Sequence, residues 1–169
     1  MLKTVFASIA AIALLAGCAS YHLGSPGALD YSTVYIAPPL NQTTLPKLES
    51  AVDVALRKAI EQSGPLHLAG RGQANVELTV RLVEVKRAIE AVQSNDLGRA
   101  RKIALRLEVA FDLRRSDAAP DDFMIHDRHF IVSQDVYVDS GQIEAEYQAT
   151  PELARKVAQE ATGLLLDVW

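Results

Sequence analysis

The chain has 169 residues, with 17 basic and 21 acidic side chains, a net charge of −4 and one cysteine. This acidic balance argues against a nucleic-acid binder, because such proteins normally carry a cationic excess. A single cysteine leaves no disulfide framework and no multi-cysteine metal site.

The N-terminus is typical of a bacterial lipoprotein signal. Lys3 supplies a positive charge, residues 5–15 are apolar, and residues 15–18 have the sequence LAGC, the box before whose cysteine such signals are cut. The apolar stretch is too short to span a bilayer. We therefore predict that residues 1–17 form a signal peptide and that Cys18 carries a covalent lipid, with no other cofactor.

The predicted lipid fixes where the protein should be found. The several acyl chains of a bacterial lipoprotein form a durable membrane anchor, whereas one chain binds only marginally. Ala19, in place of aspartate, favours the outer membrane by analogy with enterobacterial sorting. We expect a lipid-anchored protein of the outer membrane that faces the periplasm.

The mature N-terminus should be a flexible tether. Residues 18–31 include Gly24, Pro26 and Gly27 and few large apolar side chains. Such a segment reaches about 40 Å when fully extended.

The first predicted elements are a strand and a helix. Residues 32–37 form a strand that ends at two prolines, and a loop follows through residues 41–44. The helix should begin at Thr44 or Leu45, with Pro46 in its first turn, and end at residues 63–65. Its apolar stripe is Leu48, Val52, Leu56 and Ile60.

A series of strands should come next. Residues 66–69 form a short strand, and a long alternating strand begins at Val76. The apolar positions change parity near Leu82 and Val83, which predicts a β-bulge there. Residues 93–98 form a turn, and residues 103–113 give the strongest strand signal of the chain.

Residues 123–138 predict a strand at a sheet edge, because polar residues interrupt its pattern. The last helix should begin at Thr150, with Pro151 in its first position. Its predicted buried stripe is Leu153, Val157, Ala161, Leu164 and Val168.

These elements predict a single α+β domain over residues 32–169, in the order β-α-β-β-β-β-α. A two-layer sandwich buries every apolar stripe if both helices pack on one face of a mostly antiparallel sheet of four to five strands.

No catalytic or metal-binding constellation emerges from the sequence. His126 and His129 are three residues apart, but side chains of opposite parity on a strand point to opposite faces. They could share a metal only if the strand breaks between them. Phosphate-binding loops and hydrolase or metalloprotease motifs are absent from the sequence. We predict a protein that is not an enzyme; a hydrolase built on the segment around these histidines is the alternative.

One segment of the chain is locally basic. From Glu84 to Lys102 there are five basic and three acidic residues. Arginine matches phosphate oxygens in a bidentate way, so an anionic lipid or glycolipid is a suitable ligand. Strand parity places Arg87, Arg99 and Arg101 on one face, whereas a solvated tip with weak ion pairs is the alternative. The candidate contact residues are Arg87, Arg99, Arg101, Lys86 and Lys102.

Several segments resemble the lipopolysaccharide-assembly lipoprotein (LptE) family. Residues 17–18 and 21–24 are similar to its mature N-terminus, and residues 34–43 with the helix around residues 48–57 are similar to its first strand and helix. Ala74, which precedes a long alternating strand, continues the likeness, and the resemblance extends to Val85. Beyond that it depends on element order, and residues 123–138 depart from it.

This resemblance implies a lipoprotein that sits within a large outer-membrane β-barrel, LptD, and assists barrel assembly and lipopolysaccharide delivery without catalysis. Lipopolysaccharide is then a possible second ligand. The alternative is an accessory lipoprotein of another envelope complex, such as a lipid-transporter subunit or an activator of cell-wall synthesis.

Overall fold

The computed structural model describes residues 29–92, 100–138 and 141–167, with the backbone alone at 90–92 and 100–101. The predicted signal peptide, Cys18, most of the tether and the turn at 93–98 lie outside these residues. The elements in chain order are β1 (Thr33–Ile36), β2 (Leu40–Asn41), α1 (Leu48–Gln62), β3 (His67–Leu68), β4 (Val76–Val92), β5 (Ala100–Arg115), β6 (Ile125–Tyr137) and α2 (Gln142–Leu166).

The strands form one mixed sheet of six strands in the order β3-β1-β4-β5-β6, with β2 also beside β4. β4, β5 and β6 are antiparallel, whereas β1 runs parallel to β3 and β4, and β2 runs parallel to β4. The predicted α+β order is confirmed, with the two-residue β2 added. The parallel pairs arise because the chain returns from β1 through α1, and a helical crossover joins parallel strands.

The hairpin of β4 and β5 contains the predicted bulge. Before the bulge, Leu78 lies opposite Leu113, and after it Val85 lies opposite Leu107. The register shift falls between Leu82 and Glu84. Because the bulge adds one residue to β4, the apolar side chains on both sides of it face the same core.

Helix α1 buries its predicted stripe but begins later than expected. Leu48, Val52, Leu56 and Ile60 are all fully buried. The predicted start at Thr44 or Leu45 is wrong, because Asn41 organises those residues as a turn. Asn41 Oδ1 accepts a hydrogen bond from the Thr43 amide at 3.0 Å, and Asn41 Nδ2 donates one to the Leu45 carbonyl at 2.9 Å.

Helix α2 begins earlier than expected. It starts at Gln142 and contains Pro151 in its interior, so the predicted start at Thr150 is wrong. Pro151 removes one backbone donor, but Ala145 and Ala149 in the preceding turns are buried, and this packing holds the helix together. The stripe of Leu153, Val157 and Ala161 is confirmed. Leu165 is fully buried where Leu164 was predicted, and Val168 lies outside the described residues.

Both helices pack against each other and against one face of the sheet, where a single apolar core joins the two layers. We call the other side of the sheet the open face. Neither helix of the described chain has the length and apolarity needed to cross a bilayer.

Candidate functional site

Three of the predicted basic residues, Lys86, Arg87 and Lys102, lie at one end of the long hairpin. We call this region the hairpin end: residues 84–92 of β4 and 100–107 of β5. On the helix-covered face it carries Arg87, opposite Leu105; on the open face it carries Lys86, opposite Arg106. Lys86 and Arg87 therefore lie on different faces of the sheet.

Arg87 is held by a carboxylate of α2. Its Nε and Nη2 donate to the two oxygens of Glu146 at 2.7 and 2.8 Å. The side chain of Glu146 is only 8 % exposed, and Gln142 donates a further hydrogen bond to it at 2.7 Å. Arg87 lowers the pKa of Glu146 against the opposing effect of burial, and Glu146 raises the pKa of Arg87. The guanidinium fork is thus already paired within the fold.

Of the three arginines predicted to share one face, the structure describes the side chain of Arg87 alone. Arg99 lies outside the described residues, and so does the side chain of Arg101. Their contact with an anionic lipid stays a prediction.

The open face of the hairpin end carries a second basic group. Lys86 Nζ lies 3.2 Å from Glu84 Oε2, and Lys102 Nζ lies 2.7 Å from Asp135 Oδ2. Arg106 is exposed and makes no ion pair or hydrogen bond with any residue that the structure describes. Like charges directly opposite each other on a sheet repel, so Lys86 and Arg106 form a position that favours an added anion.

Sequence reasoning missed both Arg106 and Glu146. Arg106 occupies a polar-parity position of the strand predicted over residues 103–113, and this alternation could have marked it. Glu146 could not be found, because α2 was predicted to begin after it.

Asp112 is the centre of a paired cluster on the rest of the open face. It accepts hydrogen bonds from Arg81 and from the Asp127 amide, the latter at 2.7 Å, and lies 3.0 Å from His126 Nδ1. Burial alone would raise the pKa of Asp112, but the amide and the guanidinium together lower it. The cluster secures the start of β6 to β5.

Both histidines of β6 take part in this polar face, which corrects the expectation that they point to opposite faces. Asp127 between them has a φ of 48°, and the register with β5 shifts there. The resulting bulge adds a residue and turns both side chains to the open face. His129 contacts Glu108 at 2.8 Å and Asp127 at 3.3 Å. In the described ranges no group of three or more potential metal ligands occurs.

Replacing Asp112 with asparagine should lower the free energy of unfolding by roughly 1–2 kcal/mol at neutral pH, because charged hydrogen bonds are lost from a buried site. The pKa of Asp112 in the folded protein is below its ordinary value of 3.8. Its stabilising contribution is therefore complete above that value and is lost as the pH falls through the folded pKa. Chemical unfolding at a series of acidic pH values should show the difference from wild type shrinking.

The exposed Asp121→Asn variant is the control for this pH series and should match wild type throughout. The titration of His129 does not affect the comparison at acidic pH. Glu108 raises the pKa of His129 above 6.5, so its contribution is complete below that value and is lost only as the pH rises through the raised pKa. The electrostatic role of Asp112 would be contradicted if Asp112→Asn lowered the free energy of unfolding equally at all pH values, including those below the folded pKa.

The chain enters the domain at the end opposite the hairpin end. The Tyr31 hydroxyl donates to the Leu165 carbonyl at 2.6 Å, and burial raises the pKa of Tyr31 to about 12. Asp30 lies 3.5 Å from Arg115, the last residue of β5. Residues 30–31 and the hairpin end therefore lie at opposite ends of the sheet.

The fold and these surfaces define a two-layer α+β domain with its candidate sites on exposed faces. The family model for lipopolysaccharide assembly, LptE, matches residues 31–161. The chain therefore belongs to the LptE lipopolysaccharide-assembly family. None of the curated proteins matches the sequence.

Solved structures share the fold at low sequence identity. A hypothetical protein from Chlamydia trachomatis is 11 % identical with a TM-score of 0.55, over 82 % of this chain and 97 % of its own. A minor lipoprotein from Acinetobacter baumannii is 13 % identical with a TM-score of 0.52, over 80 % and 93 %. An uncharacterized lipoprotein B from Nitrosomonas europaea is 14 % identical with a TM-score of 0.51, over 82 % and 81 %.

Proposed function

We propose that this chain is a lipoprotein of the outer membrane that assists lipopolysaccharide assembly as a non-catalytic partner of an LptD-like β-barrel. The family match over residues 31–161 carries this proposal. The LAGC box at residues 15–18 supports it independently, because a lipid on Cys18 would hold the domain at a bilayer.

The hairpin end supports a contact with lipopolysaccharide. Phosphate groups are recognised by guanidinium and ammonium donors, and the open face of the hairpin end presents Arg106 beside Lys86 and Lys102. An anionic ligand would compete with Glu84 for Lys86 and with Asp135 for Lys102. By strand parity, Arg99 and Arg101 are predicted to add cations on the face that carries Arg87. Arg87 stabilises the region through Glu146. While that pair is intact, the Nε and Nη2 donors of Arg87 are not available to a glycolipid phosphate.

The proposal predicts a stoichiometric complex. When the lipidated protein is extracted from its native envelope in mild detergent and purified by affinity, one outer-membrane β-barrel should be recovered in equal amount. Quantitative mass spectrometry measures the ratio. Recovery with an inner-membrane transporter or with a cell-wall synthase instead would contradict the proposal and favour an accessory role in that complex.

The Cys18→Ser variant is the control for anchoring. It should leave the outer-membrane fraction, because without the thiol no diacylglyceryl group can be attached, whereas Ser20→Ala should remain there. Equal membrane retention of Cys18→Ser would show that the anchor is not this residue.

A further inference from the structure

The edge of β4 at the hairpin end has no neighbouring strand in the described part of the chain. β1 pairs with residues 76–78 of β4, and β2 pairs with residues 81–82. The last backbone contact on this side is the Gln42 amide, which donates to the Leu82 carbonyl at 2.9 Å. Beyond it, the backbone groups of residues 84–89 on this side face away from β5. Unpaired strand edges are templates for another polypeptide.

The opposite edge of the sheet is protected in two ways. Asp127 creates a bulge near the start of β6, and Lys156 Nζ donates to the Ser133 carbonyl at 2.6 Å. Both are devices by which natural sheets prevent edge pairing. Between residues 84 and 89 the register of β4 with β5 is regular, and the exposed charges of Glu84 and Lys86 are the deterrents on this edge.

Exposed apolar side chains lie next to the unprotected edge. Ile89 of β4 is 68 % exposed, and Ile143 and Tyr147 of α2 are 86 % and 59 % exposed. Ile143, Tyr147 and Pro46 line a cleft of about 300 Å³ to which β4 contributes Arg87. Apolar side chains gathered beside a strand edge are typical of an interaction surface.

The charges along the edge indicate what kind of strand would fit. A strand added beside β4 would have side chains next to Lys86 on the open face and next to Arg87 and Ile89 on the other face. An acidic side chain on the open face would relieve the repulsion between Lys86 and Arg106. An apolar side chain on the other face would cover Ile89 and the rim of the cleft. Because side chains alternate along a strand, the two types must alternate in the added segment.

We propose that residues 84–89 of β4 form a docking edge for an extended segment of a partner protein in which acidic and apolar residues alternate. Main-chain hydrogen bonds would supply affinity, and the alternation would supply specificity. The identity of the partner rests on the proposed function, which makes it the outer-membrane β-barrel.

Three exposed positions allow a matched cross-linking experiment in the lipidated full chain. Ile89, Val54 and Ile131 are 68 %, 67 % and 66 % exposed, and they lie on the docking edge, on the outer side of α1 and on the open face of β6. A photo-activatable amino acid is placed at each position in turn, in cells that make the native barrel. We expect the barrel to be cross-linked severalfold more at residue 89, through a peptide with alternating acidic and apolar residues.

The outcomes separate the two proposals. If the barrel is recovered by affinity but cross-links equally or preferentially through residues 54 or 131, the docking edge is wrong and the proposed function stands. If residue 89 links two copies of this chain, the edge serves self-association and the inference is overturned. If no barrel is recovered at all, both proposals fail.

A charge reversal tests the acidic part of the inference. Lys86→Glu should reduce recovery of the barrel severalfold, because it opposes an acidic side chain on the added strand. Lys58→Glu, at an exposed position of α1, should leave recovery unchanged. Equal recovery with both variants would overturn the alternation that we infer.

Discussion

Replacing Arg87 with methionine is expected to lower the free energy of unfolding by about 3 kcal/mol. The substitution keeps most of the apolar stem of the side chain but leaves Glu146, which is 8 % exposed, without its cation. The hairpin end would also lose its bidentate link to α2. Urea unfolding of the purified protein, followed by circular dichroism, measures the change.

Arg57 provides the matched control. It forms a similar pair with Asp53 one turn earlier in α1, but the carboxylate of that pair is 29 % exposed. Arg57→Met should therefore cost about 0.5 kcal/mol or less. Equal losses for the two variants would contradict a special role for the pair of Arg87 and Glu146. Combining Arg87→Met with Glu146→Leu should recover much of the lost stability, since no unpaired charge is then buried.

Removing the basic side chains of the hairpin end is expected to weaken binding to lipopolysaccharide severalfold. The variant replaces Lys86, Arg101, Lys102 and Arg106 with glutamine and leaves Arg87 in place to preserve the fold. Because exposed charges are screened by salt, the difference from wild type should shrink as ionic strength rises. Binding to immobilised lipopolysaccharide at low and high salt measures both effects.

A variant with the same change in net charge distinguishes a local surface from overall charge. It replaces Lys58, Arg71, Arg115 and Arg128, which are exposed and lie away from the hairpin end. This control should bind nearly as well as wild type. If both variants lose binding equally, or neither loses it, the hairpin end is not the contact surface.

The sequence was sufficient wherever one periodicity governed a whole element. The stripe of Leu48, Val52, Leu56 and Ile60 defined α1, and the change of apolar parity at Leu82 located the bulge of β4. Both patterns depend on burial on one side only, which is visible in the order of residues. The edge position of β6 was likewise visible in its polar interruptions.

Sequence reasoning failed where tertiary packing outweighed local preference. Pro151 normally marks a helix start, but burial of Ala145 and Ala149 extends α2 by eight residues before Thr150, the predicted start. That extension places Glu146 beside Arg87, so the same error concealed the main ion pair of the hairpin end. The parallel pairing of β1 could not be predicted either. Strand direction depends on the crossover that α1 makes after β1 and not on any residue of β1.

The contacts of Tyr31 with Leu165 and of Asp30 with Arg115 place the chain entry far from the hairpin end. β4 has 17 residues and is about 55 Å long, whereas ten residues separate Cys18 from Leu29 and allow them to lie up to about 40 Å apart. If Cys18 carries the predicted lipid, the bilayer restrains only the end of the sheet where the chain enters the domain. The hairpin end could then lie at any distance from the headgroups up to about 90 Å. That distance is enough to reach a binding partner inside a deep vestibule while the lipid stays in its leaflet.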